Sequence, residues 1–200
     1  MTTNRFTKLL FVLAVAAGIG SPAVAGLLTP RTDINPAVLY WQAFSLYPDL
    51  PVDIRQELLV DYPPSLPAAD AKEPLQKFDR MVEYLRRAAR MKVPCDWGID
   101  LADGPEALVP NLVKIRQSAQ AAASRAHYAL EAGREQDAVD DLVSILILGR
   151  NSGTDGTLVS AMIGIAVEGL VNEFVAGNFY RFSPPALLSF LKQVDSAPAR

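Results

Sequence analysis

Asn111-Leu-Val-Lys-Ile-Arg-Gln-Ser-Ala-Gln-Ala-Ala-Ala-Ser-Arg-Ala-His-Tyr-Ala-Leu-Glu131 is the stretch that decides the fold class of this 200-residue chain. Leu112, Ile115, Ala119, Ala122, Ala126 and Ala129 recur at spacings of three and four, the period of a helix with one buried face. That face is mostly alanine, and small side chains let a neighbouring helix come close. Arg116, Gln120, Ser124 and His127 share another face, with His127 expected at its surface or rim. Gly133 follows as a helix-ending residue. A second helix is predicted from Arg134 to Leu148, with Glu135 and Asp137 at its positive N-terminal end and Ala138, Leu142, Ile145 and Leu146 as its core stripe. Two long helices in succession point to an all-α protein.

Proline placement extends the reading in both directions. No proline lies between Asn111 and Ser183, whereas six of the fifteen lie between Pro48 and Pro74. Proline removes a backbone donor and clashes with the preceding turn, so the earlier region can hold only short helices. The expected architecture is an irregular bundle of about six to seven helices. Residues 26–110 form its proline-rich part and residues 111–194 its long-helix part, within one domain spanning 26–200. Asn35 caps a first helix ending near Tyr47. A short helix is predicted over Val52–Val60, then a longer one over Glu73–Arg90 with Leu75, Phe78, Met81, Val82 and Leu85 on its buried face. Arg86, Arg87 and Arg90 close that helix, where cations complement its dipole.

Further along, Gly149 to Gly156 reads as a glycine-rich turn between helices. A phosphate cradle would need a preceding strand and a lysine, and neither is there. Thr157–Ala176 is almost wholly apolar, with Ser160, Gly164, Glu168 and Asn172 at intervals of four. Glu168 and Glu173 argue against a membrane span, so this segment is expected to be the central helix of the bundle and the mature chain to have no transmembrane span. Ser183, Pro184 and Pro185 open a last helix running to about Val194.

The N-terminus has the features of an export signal. Arg5 and Lys8 precede the apolar run Leu9–Ile19, and Ala23-Val24-Ala25 supplies the small-x-small pattern that places cleavage between Ala25 and Gly26. Eleven residues are too few to span a bilayer, which needs about 20. Residues 1–25 are therefore expected to be a cleaved signal peptide, and the protein periplasmic or secreted. The alternative is an uncleaved N-terminal anchor. Cleavage leaves 17 basic and 22 acidic residues, a net charge of −5. An acidic balance argues against a nucleic-acid partner. One His and one Cys exclude a multi-ligand Cys/His metal site and an intramolecular disulfide, and no cofactor is implied.

Two places could carry chemistry. The loop Met91–Pro110 holds Cys95, Asp96 and Trp97 together, which makes it a candidate binding loop. The competing reading is a tryptophan plugging the core beside an inert thiol. Glu168, if buried, needs a cationic partner, and Arg116 or Arg125 could supply it. An enzyme would need a second group beside it, so the hydrolase alternative pairs Glu168 with Asp140 or Asp141. No residue is assigned a catalytic role.

Ser124-Arg-Ala-His-Tyr-Ala-Leu-Glu-Ala-Gly133-Arg-Glu-Gln-Asp-Ala138-Val-Asp-Asp-Leu142 resembles one tetratricopeptide helix hairpin, through Tyr128, Gly133, Ala138 and Leu142. No second copy follows at that period. The Asn-Pro-Ala-Val-Leu-Tyr-Trp-Gln-Ala-Phe opening, the Cys-Asp-Trp-Gly loop and the Ala-Val-Asp-Asp-Leu helix are similar to a family of uncharacterised exported all-helical bacterial proteins. The first resemblance implies a groove for a protein or peptide partner, and the second implies export. Together they make a non-enzymatic binding or structural component of the cell envelope the leading expectation.

Overall fold

Asn35 starts the first described helix by the means its sequence suggests. Its side-chain oxygen accepts from the Ala37 amide at 3.0 Å, and Pro36 occupies the first helical position. The computed structural model describes residues 35–60, 63–102, 104 and 109–197. The expected signal peptide, with its cleavage between Ala25 and Gly26, lies outside them. Eight α-helices and no strand occur among the described residues, so the protein is an all-α bundle. They are α1 (Pro36–Ser45), α2 (Val52–Arg55), α3 (Ala68–Gln76), α4 (Asp79–Ala89), α5 (Asn111–Glu131), α6 (Glu135–Ser152), α7 (Leu158–Gly177) and α8 (Pro184–Asp195).

The extra helix comes from a break. The expected single helix over Glu73–Arg90 is two, α3 and α4, separated at Lys77 and Phe78. Pro74 lies inside α3 and has no N–H to give to the turn before it. The Lys77 and Phe78 amides instead bond three residues back, to Pro74 and Leu75, which tightens and ends the helix. Phe78 is then fully buried against Tyr47. The proline-rich stretch is pinned from α5. Ser124 donates to the Leu58 carbonyl at 2.6 Å and Tyr128 to that of Leu66 at 2.5 Å. These bonds explain why two polar side chains of α5 are buried. His127, expected at the surface, is buried too, edge-on to Tyr128 and 3.3 Å from Glu131.

The hairpin of α5 and α6 forms as the sequence indicates. Gly133 takes φ +72°, the Arg134 amide reaches back to Ala129 at 2.8 Å and the Gly133 amide to Leu130 at 3.1 Å. These paired bonds satisfy the last carbonyls of α5. Beyond the turn, α6 packs against α4, α5, α7 and α8 and is the central helix. That position was expected of α7. Only 28 % of the most apolar window of α7 is buried, although the helix is long and apolar enough by composition to cross a membrane.

A close crossing explains both this exchange and the length of α6. Gly149 does not start a turn; the helix continues through it to Ser152. A Cβ on Gly149 would stand 3.1 Å from Val167, and one on Gly164 would stand 2.6 Å from the Gly149 carbonyl oxygen. The two glycines let the backbones of α6 and α7 nearly touch. Ser160 and Gly164 of α7 therefore face inward and are buried, and much of its apolar surface faces out.

Candidate functional site

The loop carrying the lone cysteine is built into the core. Trp97 stacks on Tyr40 at 5.4 Å and on Phe44 at 6.1 Å, and its indole N–H donates to the Asn151 carbonyl at 2.7 Å. Asn151 in turn donates from its amide to Tyr40 Oη at 3.1 Å. Cys95 is buried, its carbonyl accepts from Thr154, and burial pushes its thiol up to about 12. Only Asp96 is exposed, and its backbone is clamped by the Asn35 side chain. The candidate binding loop Cys95–Trp97 is thus a plug joining α1 to the end of α6, because a Trp with a satisfied N–H gains more in an aromatic cluster than in water.

Glu168 finds a partner that the sequence did not single out. Arg150 Nε lies 3.8 Å from its Oε1, the two residues flanking the Gly149–Gly164 crossing. The expected pairing with Arg116 or Arg125 is replaced by this one. Arg116 is exposed on α5, and Arg125 points to the other side of the hairpin. The carboxylate pairs of the hydrolase alternative do not converge either. Arg150, which meets Glu168, and Asp141 are nine residues apart on α6, half a turn out of phase and about 13 Å along the axis.

Asp141 is the centre of a different arrangement. It is almost fully buried on α6, and Arg86 Nε from α4 donates to its Oδ1 at 2.7 Å. Arg86 also donates to the Asp137 carbonyl at 2.9 Å, and Arg125 Nε sits 3.8 Å from Asp141 Oδ2. That second oxygen has no hydrogen bond. Burial outweighs the two guanidiniums and pushes the carboxyl up to about 6. Arg125 is held on its outer side by Asp79 at 3.4 Å.

These arginines form the back of a long cleft. One lobe, about 590 Å³, is lined by Lys72, Leu75, Asp79, Arg125, Tyr128 and Arg134. The adjoining lobe, about 490 Å³, shares Asp79, Arg125 and Arg134 and adds Arg86, Arg87 and Arg90. Arg87, Arg90 and Arg134 are exposed on its rim, and Arg87 lies over the Tyr84 ring at 5.1 Å. Leu75 and Tyr128 give the first lobe an apolar floor. A cleft of this kind suits an anion on an apolar stem: planar guanidinium forks grip carboxylate or phosphate, and the floor takes the rest. Among the described residues, no cluster of three His, Cys, Asp or Glu side chains could hold a metal.

Sequence reasoning assigned Arg86, Arg87 and Arg90 to the helix dipole alone. Their i, i+4 spacing was visible, but Arg125, Arg134 and Asp141 join them only through packing across more than thirty intervening residues. No local pattern signals such a gathering. Comparison of the chain with protein-family models, with curated proteins and with solved structures finds no match.

Proposed function

We propose that the protein is an exported, non-enzymatic helical component of the cell envelope that binds a protein or peptide partner through an acidic segment. The arginine-rimmed cleft between α3–α4 and the α5–α6 hairpin carries this reading. Fixed guanidiniums at the back keep their orientation without a ligand, so little side-chain entropy remains to be lost on binding. Exposed cations at the rim steer an acidic partner and set its register. The N-terminal pattern of Arg5, Lys8, Leu9–Ile19 and Ala25-Gly26 supports export, as does the resemblance to exported all-helical bacterial proteins.

The test is fluorescence anisotropy with two labelled decapeptides, one alternating Glu and Leu, the other Lys and Leu. The acidic peptide is expected to bind and the basic one not. Combining Arg87→Glu with Arg90→Glu is expected to weaken binding by roughly tenfold or more, since each rim charge both steers and pairs. Equal binding of both peptides, or a variant that binds as the parent does, overturns the cleft as the site. Export is tested separately by sequencing the N-terminus of protein recovered from its host, with Gly26 expected as the first residue.

A further inference from the structure

Helix α7 carries two seams of the same spacing. The inner one, Ser160, Gly164, Val167, Val171 and Phe174, is buried in the bundle. The outer one, Leu158, Met162, Ile165, Gly169, Asn172 and Ala176, is exposed at every position. Leu158, Met162 and Ile165 are 76 %, 59 % and 57 % exposed. Steps of four, three, four, three and four repeat every 3.5 residues, the spacing at which one helix seats knobs into the holes of another. A lipid surface would favour basic residues flanking the apolar face. Arg116 borders this seam, and Glu173 lies beside it, an acid that an anionic lipid surface would repel.

We infer that the outer seam of α7 is the interface of a two-fold dimer, in which α7 of a second copy packs antiparallel about Gly169. Gly169 lies within the seam, and among the described residues a Cβ there would meet nothing within 4 Å. Nothing among the described residues therefore requires glycine, a poor helix former, at this position. Close approach of a second helix does require it. The large residues occupy the first half of the seam and the small ones most of the second. An antiparallel two-fold about Gly169 sets Met162 against Ala176 and Ile165 beside Asn172, so bulk meets space; a parallel pairing would stack bulk on bulk.

Charge agrees with this register. Arg116 of α5 is exposed and borders the groove that it shares with Ala166 and Leu170. Residues equally distant from Gly169 on either side face one another across the axis. Glu173 of one copy therefore comes level with Ile165 of the other, one residue from Ala166 and within reach of Arg116. The contact occurs twice, as an isologous interface demands. Among the described residues neither Arg116 nor Glu173 has an ion-pair partner in its own chain.

Sedimentation equilibrium of the purified protein up to about 100 µM tests the inference, a range that captures micromolar association. A dimer is expected. Met162→Asp is expected to weaken it by roughly a hundredfold, as loss of a central apolar anchor does. Met162 is exposed, so the circular dichroism spectrum should not change. Arg116→Glu should weaken the dimer, and combining it with Glu173→Arg should restore it. Under oxidation, a Met162→Cys copy should cross-link to an Ala176→Cys copy and not to itself. A monomer at the highest concentration overturns the inference, whether its seam then binds vesicles of neutral and anionic phospholipid or stays free. So does a dimer that Met162→Asp leaves intact, and self-linking of Met162→Cys overturns the antiparallel register.

Discussion

The two ends of α6 are held by opposite kinds of contact. Near its start, Asp141 meets Arg86 of α4 and Arg125 of α5, and Glu135 accepts from the Ser183 amide at 2.8 Å and from its hydroxyl at 2.5 Å. Near its end, Gly149 lies against Gly164, and Asn151 closes on Trp97 and Tyr40. The first end depends on charge and so on pH. The second depends on shape and is indifferent to pH in the ordinary range. A central helix anchored both ways can loosen at one end while the other stays closed. The loosening end is the one that borders the arginine cleft.

Substitutions at the shape-determined end should have the largest effects. Trp97→Ala removes the ring shared by Tyr40, Phe44 and Trp41 and should cost about 3–5 kcal/mol in urea unfolding. Gly164→Val should cost about 3 kcal/mol, because its side chain must displace the Gly149 backbone rather than a flexible neighbour. Neither loss should vary between pH 5 and pH 8. If either does, the separation between the two ends fails.

The charged end should respond in the other way. The Asp141 carboxyl titrates higher in the folded protein than in the unfolded chain, so its contribution is fully present below about pH 4 and is lost as pH rises through about 6. Asp141→Asn mimics the neutral acid and lacks this dependence. Relative to the parent it should gain about 2–3 kcal/mol between pH 4 and pH 7, at about 1.4 kcal/mol per pH unit. Parallel stability curves for the two proteins would mean that the arginines, not burial, control the carboxyl. Glu135 gives the smallest effect, with the opposite sign. The Ser183 bonds hold its carboxyl below the ordinary value of 4.5. Its contribution is present above that value and is lost as pH falls through the lowered one. Glu135→Gln should therefore lower Tm slightly at pH 7, and the difference should close in acid.

The same contrast explains which features were legible in the sequence. The bounds of α5 match the reading at both ends, because the alanine stripe and Gly133 are local signals with local causes. The helix starts at Pro36 and Pro184 were equally plain. Gly149 was misread because its reason lies fifteen residues away in Gly164. The central position expected of α7 was misread for the same cause. Apolar content predicts which face is buried only when no tighter packing competes, and here a pair of glycines outweighed Met162 and Ile165. The ion pairs were the least legible. Arg86 and Asp141 are 55 residues apart, and any of the other acids could have satisfied the same rule.

The aromatic plug also sets a timetable for the chain. Tyr40 and Asn151 are separated by 111 residues, so the face of α1 has no lasting cover until the end of α6 exists. At ribosomal speeds of about 5–20 residues per second, that is roughly 5–20 s during which Tyr40 and Phe44 remain available to chaperones. Closing so long a loop also slows the search for the native state. The contact that seals the core is therefore among the last to form.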